Sequence, residues 1–271
     1  MSGSVDIPGS PHSVHSSLSG LSGLSGSPPT LDPGTLSILD QFLSDKAEEE
    51  TLFNTLSQQA TALDVAGLAL EEDKDEKPMI SVDQYRKAFG EDWQLSQFWY
   101  STSFATRLAK AMYSICEPST TVAFLCCPTA FVAFQHEYPQ KNTYLLEFDQ
   151  RFSVLAPKLF IPYDLDEPDD FPNTLREKVD LAVVDPPFLN EITNQKLSQT
   201  LRQILHPTRG KLLVITSTSV EPVLFKVYSD APLGPLRKTA LNVEHGQLAN
   251  DFASWGSWEG AEKFGAEVEE S

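Results

Sequence analysis

Between residues 121 and 216 the chain repeats one pattern: a short apolar run closed by an acid or a proline, then a longer amphipathic or polar stretch. The runs Thr121–Cys127, Thr143–Phe148, Leu159–Tyr163, Lys178–Val184 and Lys211–Thr216 have the length and the β-branched and aromatic content of strands. Apolar residues at helical spacing predict helices over Ser103–Ile115, from Ala130 to Glu137, and around Leu197–Leu205. Strands separated by about 10 to 30 residues need crossover connections, so the pattern predicts a mainly parallel sheet, right-handed connections and helices on both faces.

The flanks read differently. Residues 1–34 are mostly Ser, Gly and Pro and bury too little to offset the entropy of ordering them, so a disordered tail is expected. Leu36, Leu39, Phe42 and Leu43 then fall at helical spacing and predict a short amphipathic helix from Thr35 to about Ala47. Within the 35–80 segment, the acidic and mixed stretch 48–78 reads as a partly helical, loosely ordered linker. A folded domain is expected over 81–258, with an acidic tail over 259–271.

Charge sharpens this division. Residues 1–80 carry 13 acids against 3 bases, residues 81–258 carry 20 against 16, and 259–271 carry 5 against 1. The domain lacks the basic surplus that a nucleic-acid backbone calls for, which makes such a partner unexpected. Cys116, Cys126 and Cys127 are an odd count without ligand spacing to His. They read as reduced core residues, with Cys126 and Cys127 on opposite sheet faces, in a reducing compartment and with no metal site. No Lys or Arg precedes Lys46, unlike a secretory or transit leader, and the longest apolar stretch, Val122–Phe134, is interrupted by Pro128. A non-membrane, cytoplasmic protein, acting as a monomer, is the expectation.

The candidate chemistry lies where the strands end. Leu181-Ala182-Val183-Val184 breaks at Asp185-Pro186-Pro187-Phe188, and two prolines cannot extend a ladder, so Asp185 and Phe188 belong to the carboxyl edge of a central strand, where open α/β sheets bind ligands. The tetrad matches the signature of methyltransferases that use S-adenosylmethionine to methylate a planar or terminal amine. That cofactor offers ribose hydroxyls, an adenine amine and a sulfonium cation, and so wants acceptors. Glu147 is the first candidate for the ribose, Asp149 the second, and Asp164 is the candidate for the adenine amine. The first loop, Cys126-Cys127-Pro128-Thr129-Ala130, has no GxGxG, yet its backbone around Pro128 has to approach the methionine moiety. The aromatic segment Trp93–Tyr100 is either core or a cover over the nucleotide.

Five separated motifs carry a family resemblance: Trp93-Gln-Leu-Ser-Gln-Phe-Trp-Tyr-Ser101, the Glu147–Phe152 run, Asp185–Phe188, Arg209-Gly210-Lys211, and Leu248-Ala-Asn-Asp-Phe252. Together they resemble the eukaryotic elongation factor 1-alpha lysine methyltransferase 1 family, also called Efm5-like and formerly grouped with adenine-specific DNA methyltransferases. The resemblance implies a Rossmann-like class I fold with a seven-stranded sheet, S-adenosylmethionine as cofactor, and methyl transfer to a lysine of translation elongation factor 1-alpha. It implies that Asp185, Pro186, Pro187 and Phe188 form the catalytic tetrad, with Asp185 also counted among the cofactor-binding residues. An adenine-specific nucleic-acid methyltransferase, gripping a flipped base with the same tetrad, is the alternative. A binding protein that kept the fold and lost catalysis is a third reading.

Overall fold

The structure is a computed structural model and describes residues 32–67, 79–245 and 251–266. The Ser/Gly/Pro tail up to residue 31, the acidic run Glu71–Lys77, Leu248 to Asn250 and the last five residues lie outside the described residues.

The apolar runs form the parallel strands β1 (Val122–Leu125), β2 (Thr143–Glu147), β3 (Phe160–Pro162), β4 (Leu181–Val184) and β5 (Lys211–Ser217). Two strands not foreseen in the apolar pattern, β6 (Arg237–Lys238) and β7 (Phe252–Gly256), complete a seven-stranded sheet in the order β3-β2-β1-β4-β5-β7-β6, with β7 antiparallel to both neighbours. Gly256 is required there, because a Cβ would lie 2.7 Å from the Ala261 Cβ and from the Trp258 ring.

Side-chain alternation along the strands divides the core in two. Val122, Phe124, Leu145, Leu181, Val183, Leu213 and Ile215 pack with helices α2 (Val82–Ala88), α3 (Thr102–Tyr113) and α4 (Pro128–Glu137). Ala123, Leu125, Leu146, Ala182, Val184, Leu212 and Val214 pack with α5 (Glu191–Ile204) and α6 (Glu221–Val227) on the other face. The expected Rossmann-like class I architecture is therefore present.

The chain divides into two compact units, residues 1–44 and 45–271. In the first, Asp32 caps the opening turn of α1 (Pro33–Gly67) by accepting from the amides of Gly34 and Thr35, and Leu36, Leu39, Phe42 and Leu43 are exposed. In the second, the expectation of a loose linker after Ala47 is corrected. The helix runs on to Gly67; Leu52, Phe53 and Leu56 pack on the core, and the Phe53 ring meets Phe89 edge-on at 5.7 Å. Glu49, within the stretch expected to be a loose linker, accepts from the Gly90 amide at 3.1 Å. The boundary at 258 is corrected too: Ala261 and Phe264 are buried, with Phe264 edge-on to Trp258. Among the described residues no helix is long and apolar enough to cross a membrane.

Candidate active site

The strand order places the chemistry. β1 lies between β2 and β4, and the chain reverses its direction of winding there, which opens a crevice at the carboxyl edge of the sheet. Leu125 is in register with Leu146 and Val184, so Glu147, Cys126 and Asp185 emerge level with one another, with the two acids about 10 Å apart along the backbone spacing of three strands. All three line a cavity of about 590 Å³, a size that suits a nucleotide-like ligand.

Cys126 has φ 57°, the left-handed region that a glycine usually fills, at a cost of about 1 kcal/mol or more. This turn replaces the missing glycine motif, and it corrects the reading of Cys126 and Cys127 as strand residues on opposite faces, because β1 ends at Leu125. Both cysteines line the cavity; Cys127 is buried, with its thiol donating to the Val183 carbonyl at 3.3 Å. Pro128 opens α4 at a position where its missing amide costs nothing, and the helix start has no side-chain cap, so its amide groups and the positive end of its dipole are left for an anionic group.

Glu147 is buried and uses one oxygen, Oε1, to accept from the amides of Phe148 at 3.0 Å and Asp149 at 3.3 Å; Oε2 makes no bond among the described residues. Burial pushes its carboxyl up to about 7 against those two amide bonds, with the Asp149 charge adding to the rise. Asp185 is likewise pushed to about 7 by burial; the Tyr100 hydroxyl, donating to Oδ2 at 2.6 Å, opposes the rise and the Glu147 charge adds to it. Burial and the neighbouring Asp185 charge raise Tyr100 well above its ordinary value, so it stays a donor.

The predicted site residues are largely brought together: Pro128, Glu147, Asp164, Asp185, Pro186, Pro187 and Phe188 all line the cavity. Asp149 does not. Its oxygens are taken by Gln97 and Arg151, contacts that outweigh burial and hold its carboxyl below the usual range, so it ties the 92–98 segment to the loop after β2. Asp164 is exposed at the rim, where Oδ1 accepts from the Asp166 amide. Phe188 is 47% exposed at the mouth.

Among the lining residues that were not named as site residues, three form one wall. Tyr100 comes from the aromatic segment, His245 packs on the Tyr100 ring at 4.9 Å, and Phe252 packs on His245 at 4.2 Å. Burial lowers His245 to about 4, which keeps its imidazole neutral. The motifs around Tyr100 and Phe252 were signals in the sequence, but their meeting at one wall was not.

This constellation can be set beside known proteins. A family model described as "Probable N6-adenine methyltransferase" matches residues 91–260. Protein-lysine N-methyltransferase EFM5 of Saccharomyces cerevisiae is 32% identical over 246 residues, spanning 85% of this chain and 92% of the yeast protein. The chain belongs to the Efm5-like methyltransferase family. EEF1A lysine methyltransferase 1 of Mus musculus is 31% identical over 172 residues, covering 62% of this chain and 76% of the mouse protein. The fold is shared with a branched-chain polyamine synthase variant from Thermus thermophilus, at a TM-score of 0.52 and 14% identity over 65% of this chain and 62% of that one. As a member of the Efm5-like family the enzyme uses S-adenosylmethionine, and the residues present fit that group: Glu147 keeps a free oxygen toward the cavity, and α4 presents an uncapped amino terminus.

Proposed function

We propose that this enzyme methylates a lysine of translation elongation factor 1-alpha in the cytoplasm, acting as a monomer. Membership of its family makes it an S-adenosylmethionine-dependent protein-lysine N-methyltransferase. The finer assignment of the acceptor is supported by the relatives named for that factor, and the compartment by three free thiols, which suit a reducing environment. The bound cofactor supplies an electrophilic methyl group on a sulfonium.

The observation that carries the site assignment is Asp185: fixed by Tyr100 through Oδ2, it keeps Oδ1 available at the cavity end of β4. A lysine ammonium, with an ordinary pKa of about 10.4, has no lone pair and must first lose a proton. The proton passes to solvent. Oδ1 of Asp185 and the Pro186 carbonyl then accept the two remaining N–H groups, which leaves one direction for the lone pair. Pro186 and Pro187 hold that geometry because their rings fix φ. The Phe188 ring walls the amine from water and offers a face to a cation. Catalysis here is orientation and exclusion of water. On the cofactor side, Oε2 of Glu147 would accept the ribose hydroxyls, Asp164 the adenine amine, and the α4 amides beyond Pro128 the methionine carboxylate.

The test is transfer of labelled methyl groups from S-adenosylmethionine to purified elongation factor 1-alpha, followed by protease or nuclease digestion. Label released as methylated lysine supports the assignment. Label that is sensitive to nuclease, or no transfer to the factor, contradicts it.

A further inference from the structure

Phe188 and Leu189 line the cavity, and Ile192 follows just beyond them in the chain. Phe188 is 47% exposed, Leu189 40% and Ile192 65%, three large apolar side chains within five positions where the tetrad leads into α5. Contiguous exposed apolar side chains mark contact surfaces more often than idle ones. The next feature along the same helix is of the opposite kind. The loop after β3, residues 164–170, carries five acids and no base. It is fastened to α5 by ion pairing of Lys196 with Asp166 and by Gln199, which donates to both Asp169 oxygens at 3.0 Å. Glu167 and Asp170 are exposed. An apolar knob beside an anionic loop, both attached to one rigid helix and continuous with the tetrad, complements a surface with basic and apolar side chains around the acceptor.

We infer that Phe188, Leu189 and Ile192, with the exposed acids Glu167 and Asp170 of the 164–170 loop, form the docking face for the protein substrate. The occupant is a folded protein patch that sets apolar groups on the knob and basic groups on the loop while its lysine enters the cavity. This rests on the proposed lysine acceptor. Recognition of a surface, besides a lysine, is what gives a methyltransferase selectivity among the many lysines of a proteome. The charged loop steers approach and the apolar knob holds the bound state.

Two variants test it, both outside the tetrad and the cofactor contacts. Ile192→Glu places an acid in the first turn of α5, where the helix dipole favours it, so the fold is retained. Glu167→Lys with Asp170→Lys reverses the loop charge. Steady-state methylation of purified elongation factor 1-alpha is measured, with calorimetric binding of S-adenosylhomocysteine as the control. Ile192→Glu is expected to raise KM for the factor about tenfold or more while kcat stays within about threefold and cofactor affinity is unchanged. The double variant is expected to lower kcat/KM at low salt and to flatten its dependence on ionic strength. Normal KM in Ile192→Glu, with the wild-type enzyme active on the factor, overturns the docking face alone. No transfer by the wild-type enzyme overturns the assignment of the factor and the docking face with it.

Discussion

Replacing Tyr100 by Phe removes one hydroxyl from the active site and leaves the ring packed on Phe104 and His245. The lost contact is the 2.6 Å hydrogen bond to Asp185, a charge-assisted bond to the ionised carboxylate. Such bonds are worth about 1.5 to 3 kcal/mol, so the carboxyl, already raised to about 7 by burial, should rise further by roughly one to two pH units. A raised pKa means more protonated Asp185 at any given pH, and a protonated carboxyl orients the amine poorly. The variant's defect should therefore be greatest at low pH and fade at high pH. The assay is single-turnover methylation with cofactor saturating, expressed as the ratio of wild-type to variant rate, since titration of the substrate amine cancels in the ratio. The ratio should fall from about ten- to a hundredfold at pH 6 toward unity above pH 9. A constant ratio across that range would refute the electrostatic role and leave Tyr100 as packing.

Two further perturbations probe the cofactor side and the helix that was misread. Glu147→Ala should weaken S-adenosylhomocysteine binding by about 1.5 to 3 kcal/mol through loss of the ribose acceptor, with calorimetry as the measurement; an unchanged Kd would remove Glu147 from the cofactor site. Phe53→Ala should cost about 2 kcal/mol in urea unfolding, less than a fully buried Phe because Phe53 is only partly buried against Phe89, and a loss below about 0.5 kcal/mol would show that this part of α1 adds nothing to the core.

The parallel sheet was legible because strands buried on both faces are written as continuous apolar runs, and Glu147 and Asp185 were legible because the polar residues that end such runs must lie at the sheet edge. Contacts between distant segments were not. Tyr100 and Asp185 are 85 positions apart, and no local pattern announces their bond. Asp149 had the right residue type and nearly the right position, but Arg151, two positions on, and Gln97, 52 positions away, take its oxygens. Cys126 hid a left-handed turn because only glycine advertises that conformation. The acids around Glu49 masked the apolar side of α1. The start of α5 was set too late because Ile192 and Thr193 weaken helix propensity, whereas Asn190 caps the helix by accepting from the Thr193 amide.

Asp185 is the residue on which the proposed chemistry depends, and Asp185→Ala tests it most directly. Single-turnover methyl transfer to purified elongation factor 1-alpha, with enzyme in excess and cofactor saturating, should fall by at least about a hundredfold, the scale of losing an orienting group at a reacting centre. S-adenosylhomocysteine affinity, measured alongside, should stay within about threefold of normal, because Glu147 and the α4 amino terminus are untouched. Transfer at the wild-type rate would contradict the account and reduce Asp185-Pro186-Pro187-Phe188 to a rigid turn.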